Sequence, residues 1–319
     1  MFAKGNDITC EYKFCAMGGE FQIMCFPQSF LSRDDVYKIF LKAEEEVNRI
    51  QSKFTDFEDG PFNEINKHAG IRPVKVDEEI WDIIQRANKI SKESNGIFDI
   101  SFATIGHLWR KAKNEGRTLS FLERSQVQRY IDYRKIKFNR FTKSVYLPFE
   151  QMRIGLGGIG KGYAVDRVYE LLLKEGLHNF YINGSGDIRV HSLPNAPRPW
   201  RIGIRNPLSK DSSKSIGVIQ LATGSVASSG GYIHYNPNSE GFSDHHIVNP
   251  KSGMSNDAIL ATTVIADNTV SADTTATILM NMNVSQAISY LDSREFIGFV
   301  VDSEGKTHLS AAAIRSFGL

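Results

Sequence analysis

The sequence predicts an α+β fold. Loosely alternating apolar residues at 11–27 and an apparent hairpin around 136–147 read as antiparallel strands. Amphipathic helical runs lie between and after them, not in the strict strand–helix alternation of a doubly wound sheet.

Taken in order, Phe14, Phe21, Ile23 and Phe26 mark the first strands. Val36, Ile39, Phe40, Ala43, Val47 and Ile50 recur at helical spacing, with Ser32 or Asp34 placed to cap. Residues 55–63 read as a turn-rich loop around Gly60 and Pro61. Ile80, Ile83, Ile84, Ala87 and Ile90 mark a second amphipathic helix that Gly96 ends. The stretch 114–147 is polar and runs into the hairpin 136–138 and 145–147. Residues 153–157 read as the end of a strand, followed by the glycine cluster GLGGIGKG and a helix through Ala164, Val165, Val168, Leu171 and Leu172 to Gly176. Strands are expected at 179–182, 200–204, 216–221 and 297–301, and helices near 271–282 and 285–292.

A chain of 319 residues suggests one large domain or two lobes. Thirty-eight Lys and Arg against 36 Asp and Glu give a formal charge of +2, which supplies no electrostatic case for nucleic acid as the main partner. Cys10, Cys15 and Cys25 are odd in number and form no CxxC pair, which argues against a disulfide framework or a zinc site. Lys4, Asp7, Glu11 and Lys13 interrupt any apolar signal segment, and Asp267 and Asp273 break the apolar run 258–282, so no transmembrane helix is expected. The expected compartment is the cytoplasm, with a periplasmic or membrane-anchored protein as the alternative if a signal has been removed.

Gly155, Gly157 and Gly160 match G-x-G-x-x-G, but no carboxylate ends the next strand at 182–183, which weakens a dinucleotide-fold reading. Gly155, Gly160 and Lys161 match the start of a P-loop, but Gly162 stands where that loop needs a hydroxyl on magnesium. What both readings share remains: glycines admit a ligand close to the backbone, and a helix N-terminus with Lys161 beside it suits an anion. The plain alternative is a tight turn with a surface lysine.

The segment SDHHIVNPKSG holds adjacent histidines, which a strand would point to opposite faces. Asp273 and Thr277, four apart on a helix, share a face and offer the hard oxygen donors that magnesium takes; an acidic helix N-terminus is the alternative.

In order, LGGIGKGYAVDRV, INGSGDIRV, WRIGIRNP, VASSGGY, HHIVNPKSG and VSADTTATIL resemble the ApbE family of FAD:protein FMN transferases. SKF with the later Asn66, and NGIFDIS with Leu108–Trp109, fit the same pattern, so the resemblance runs from Met17–Gly18 to Met280. It implies one ApbE-like domain over 11–319, with two lobes, mixed sheets and a FAD groove between the lobes. By motif match His246 takes the place of the family's active-site histidine, in H-x-x-x-P-x-Ser/Thr-G. Asp273 and Thr277 take the place of its magnesium-binding side chains, with a backbone carbonyl of Gly158 or Gly160. FAD contacts are implied for Met17, Gly18, Phe54, Asp99, Lys161, Asp187, Ser229, Gly230 and Ser252, with Lys161 beside the phosphates and Phe54 near the flavin ring. The chain departs from the usual pattern at Asn249 (usually Asp), Ser252 (usually Thr) and Gly231 (often Asp).

The implied activity moves FMN from FAD, with magnesium, onto a Thr or Ser hydroxyl of an acceptor protein, a membrane redox subunit being one such partner. An FAD pyrophosphatase, a non-catalytic FAD-binding protein and a nicotinamide dehydrogenase are the other readings.

Overall fold

The structure is a computed structural model. It describes residues 9–26, 31–209, 211, 214–231, 235–237, 243–245 and 247–318, with backbone alone at 235–237 and 243–245. In chain order the elements are β1 (Cys10–Ala16), β2 (Gly19–Cys25), α1 (Arg33–Phe54), α2 (Asn63–Lys67), β3 (Val74–Lys75), α3 (Glu78–Glu93), α4 (Ala103–Asn114), α5 (Phe121–Gln128), β4 (Lys137–Asn139) and β5 (Ser144–Tyr146). Then come α6 (Gly160–Lys174), β6 (Phe180–Gly184), β7 (Asp187–His191), β8 (Trp200–Arg205), β9 (Ser215–Leu221), β10 (Gly224–Gly230), β11 (Tyr235–Pro237) and β12 (Ser243–His245). The rest is β13 (Ile259–Ala266), α7 (Thr269–Met280), α8 (Val284–Asp292), β14 (Ile297–Asp302), β15 (Thr307–Leu309) and α9 (Ala311–Phe317). Strands and helices are interspersed and most of the strand pairs are antiparallel hairpins, as an α+β pattern requires.

The chain divides into two compact units, one of Met1–Gln51, Gly160–Ser228 and Thr263–Asp273, the other of Ser52–Ile159, Ser229–Thr262 and Thr274–Leu319. In the first, strands follow the order β1-β2-β6-β7-β10-β13. The β1–β2 hairpin turns at Met17 and Gly18, both with positive φ, which matches the right-handed twist of the strands it joins. Phe21, Ile23, Phe180 and Ile182 alternate inward from β2 and β6, with Val165 and Val168 of α6 also buried. Gly184 allows that packing, because a Cβ there would lie 2.6 Å from Val165. Helix α1 buries the predicted stripe Val36, Ile39, Phe40, Ala43, Val47 and Ile50, and Ser32 caps it through Asp35 N–H at 3.2 Å.

In the second unit, Asp77 caps α3 by accepting Ile80 N–H at 3.0 Å. Helix α3 ends at Glu93, short of the predicted stop, because Asn95 and Gly96 both take left-handed φ and Gly96 N–H bonds back to Ser91 at 2.7 Å. Helix α5 lies in the polar stretch 114–147 and α4 just before it, and Ile105, Trp109, Ala112, Leu119, Ile131 and Val248 form the core beside them. The predicted hairpin is β4–β5, extended by β3. The run 258–282 is β13 followed by α7, and among the described residues no helix is long and apolar enough to cross a membrane.

The strand expected at 153–157 is absent. The segment carries no regular structure, because side chains take the bonds a neighbouring strand would make. Asn66 donates to Ile154 O at 2.9 Å and accepts Ile154 N–H at 2.8 Å. Thr104 does the same for Arg153, at 3.2 and 2.9 Å. This bracing delivers the chain to the glycine cluster without a sheet partner.

Candidate active site

The N-terminus of α6 is built for close approach. A Cβ on Gly162 would lie 2.9 Å from Thr269 O and 3.1 Å from Asp273 Cβ, so only glycine lets α6 and α7 meet there. Gly162 donates its N–H to Asp273 Oδ2 at 3.2 Å. The helix end that the sequence offers to an anion therefore already receives a carboxylate of this chain.

Lys161, partly exposed, places Nζ 3.2 Å from Asp187 Oδ2. Asp187 opens β7 behind the tight turn at Ser185 and Gly186, both with positive φ, where Asn183 accepts Gly186 N–H at 2.7 Å. Ser185 N–H bonds to Glu20 O at 2.9 Å, which sets this turn beside the Met17–Gly18 turn. Gln51 Oε1 accepts the main-chain N–H of Met17.

Asp187 and Asp273 are both buried. Burial pushes the Asp187 carboxyl up, and Lys161 opposes that shift. Burial, and then the charge of Asp187, push Asp273 well above the usual carboxylate range. The Lys161 ammonium is held above its ordinary value, by Asp187 first and Asp273 second. Asp166 is buried nearby, ion-paired with Arg189 at 2.5 Å. The cluster sets three carboxylates against two cations, and an additional cation would relieve it.

Thr277, one helical turn beyond Asp273 on α7, is partly exposed. In the second unit a Cβ on Gly158 would lie 3.7 Å from Thr277 Cγ2 and 3.1 Å from the Phe98 ring, so the glycine turn packs directly against Thr277. Among the described residues no three His, Cys, Asp or Glu side chains gather as a closed metal cage. Asp273 and Thr277, a carboxylate and a hydroxyl one turn apart on α7, are donors of the kind that a hard cation takes together with phosphate oxygens and water.

Other predicted residues have clear local duties. Asp99 accepts Ser101 N–H at 2.8 Å, Ser101 Oγ–H at 2.6 Å and Tyr133 N–H at 2.8 Å, while burial pushes its carboxyl up. Phe54 ends α1 and is only 5% exposed. Ser229 and Gly230 close β10, Ser229 partly exposed and Gly230 buried. Ser252 is exposed in a turn closed by Gly253 N–H to Asn249 O at 2.8 Å, and its Oγ accepts Met254 N–H at 3.2 Å. His246 lies outside the described residues.

Sequence reasoning did not single out Asp166 or Arg189, although both stand in quoted motifs. The available signal was an acid on the apolar stripe of α6, between Val165 and Val168. Asn281 was also missed; it donates to Thr277 O at 3.3 Å.

Comparison with known proteins follows this geometry. A curated FAD:protein FMN transferase of Klebsiella pneumoniae is 27% identical over 290 residues, covering 90% of this chain and 87% of its own. One of Vibrio cholerae is 25% identical over 281 residues, covering 86% and 81%. The crystal structure of the ApbE protein from Thermotoga maritima superposes with a TM-score of 0.87 at 25% identity, covering 97% of this chain and 99% of that one. The flavin transferase ApbE from Vibrio cholerae superposes at 0.82 with 19% identity, covering 96% and 98%, a likeness of fold. The sequence profile of the ApbE family matches residues 17–300, a span that holds every candidate site residue from the Met17 turn to Thr277, and the chain belongs to that family.

Proposed function

We propose that this protein transfers FMN from FAD to a Ser or Thr hydroxyl of an acceptor protein and releases AMP. The observation that carries the reading is Asp273, a buried carboxylate crowded by Asp187, one turn before the hydroxyl of Thr277. The curated relatives named FAD:protein FMN transferase support it. Magnesium, held by Asp273, Thr277 and the Gly158 turn, would neutralise pyrophosphate charge.

The chain's own residues supply the rest. The glycine turn leaves room for phosphate oxygens at Gly157, where a Cβ would meet nothing within 4 Å. His246 takes the proton of the acceptor hydroxyl as its oxygen bonds to the FMN-side phosphorus; the bond from that phosphorus to the AMP oxygen breaks, and AMP leaves. A membrane redox subunit is the acceptor class the family resemblance implies.

The test mixes protein, FAD, magnesium and a candidate acceptor, then reads covalent flavin fluorescence on the acceptor and AMP in solution. One AMP per labelled acceptor supports transfer, AMP without label marks a hydrolase, and neither product removes the reading. Asp273→Ala is expected to abolish magnesium-dependent turnover, and Thr277→Ala to weaken it less, because water replaces a neutral ligand.

A further inference from the structure

We infer that Asp166 is a positioning residue for the metal site: from α6 it caps α7 and fixes where Asp273 and Thr277 stand. The inference rests on the reading that those two residues hold magnesium.

The N-terminus of α7 has three N–H groups to satisfy before its own ladder begins. Asn268 Oδ1 accepts Ser271 N–H at 3.0 Å, a local cap. Thr269 and Val270 donate instead to Asp166, to Oδ1 at 2.8 Å and Oδ2 at 3.1 Å. Asn268 starts the helix but cannot place it against another element, because it belongs to the same segment. Asp166 can, because it stands on α6.

A second tie lies one turn away on each helix. Gly162 and Asp166 are four apart on α6, and Thr269 and Asp273 are four apart on α7. Asp166 holds the Thr269 end, and Gly162 N–H holds Asp273 at 3.2 Å. Two attachments crossed in this way make the helices antiparallel and fix both the slide and the rotation of α7 on α6. The carboxylate is itself held: Arg189 donates to Asp166 Oδ1 at 2.5 Å and to Asp267 O at 3.4 Å, with its guanidinium 3.6 Å from the centre of the Tyr169 ring. Outer partners of this kind orient metal ligands, and their loss typically lowers metal affinity about 10- to 100-fold.

The test titrates Mn2+ into the wild-type protein and into Asp166→Ala, Asp166→Asn, Arg189→Gln and Asp273→Ala, each with saturating FAD, followed by the loss of the free-ion EPR signal. FAD affinity without metal and the thermal midpoint are measured alongside. Asp166→Ala is expected to bind Mn2+ about 10- to 100-fold more weakly with metal-free FAD affinity kept. Asp166→Asn should recover part of the loss, because its Oδ1 still accepts from Thr269. Arg189→Gln, which leaves the cap in place, should move affinity in the same direction by less, and carries the test if Asp166→Ala does not fold. Wild-type Mn2+ affinity in the Asp166 and Arg189 variants, with binding lost in Asp273→Ala, overturns the positioning role alone. Wild-type affinity in Asp273→Ala overturns the metal assignment and this inference with it.

Discussion

Asn249 donates its side-chain amide to the main-chain carbonyl of Asn281, 3.2 Å away, while its Oδ1 accepts Lys251 N–H at 2.9 Å. The first bond ties the Ser252 turn to the end of α7, and only a side chain with a hydrogen to donate can make it. The aspartate usual at this position would present a second acceptor to the carbonyl once ionised.

Asn249→Asp is therefore expected to lower stability by about 1 kcal/mol near neutral pH. The deficit should shrink below about pH 4, where the protonated acid regains a donor. Urea unfolding at both pH values checks this; equal stability of the two proteins at pH 7 would show that the bond carries no weight.

Lys161 is committed to a buried partner. Lys161→Met should cost about 2 kcal/mol, less than a fully buried pair because the lysine is partly exposed. Lys161→Met with Asp187→Asn should restore most of that loss. If Lys161 also reaches FAD phosphate, the double variant keeps its affinity for riboflavin and loses affinity for FAD. Equal losses for both ligands would confine Lys161 to its ion pair.

The role proposed for His246 predicts that the two adjacent histidines separate on function. His245 closes β12, paired with Tyr235, and His246 is the one the motif match assigns. His246→Ala should slow single-turnover FMN transfer by about 100- to 10,000-fold at saturating FAD, while His245→Ala stays near the wild-type rate. A dead His245→Ala protein beside an active His246→Ala protein reverses the assignment.

Helix α5 begins with a reciprocal cap. Ser120 Oγ accepts Glu123 N–H at 3.2 Å, and Glu123 accepts Ser120 N–H at 2.8 Å. Ser120→Ala should cost about 1 kcal/mol. The Ser120 backbone N–H, followed by the Ser120 hydroxyl and Arg117, holds the Glu123 carboxyl down at about 2. With its folded value below the unfolded one, Glu123 stabilises the fold above about pH 4.5, and that contribution fades as pH falls toward 2. Glu123→Gln should flatten this part of the stability profile, and an unchanged profile would exclude the cap as its source.

The sequence by itself determined the elements whose evidence is local. The stripes of α1, α3 and α6 and the β4–β5 hairpin follow from helical spacing and alternation within a few residues. So does the pairing of Asp273 with Thr277, which needs only the pitch of one helix. The cap of α5 was equally local, written in Ser120 and Glu123, and went unread because the apolar periodicity there is weak. Tertiary structure alone decided what depends on partners far along the chain. Asn66 and Thr104 replace a sheet neighbour for residues 153–154 across 88 and 49 positions. Asp99 turns its carboxylate to Ser101 and Tyr133, and Lys161 spends its charge on Asp187. Asp166 reaches Thr269 across 103 positions to place α7. A buried polar group must find a partner wherever the fold brings one, and no periodicity in the chain records which partner that will be.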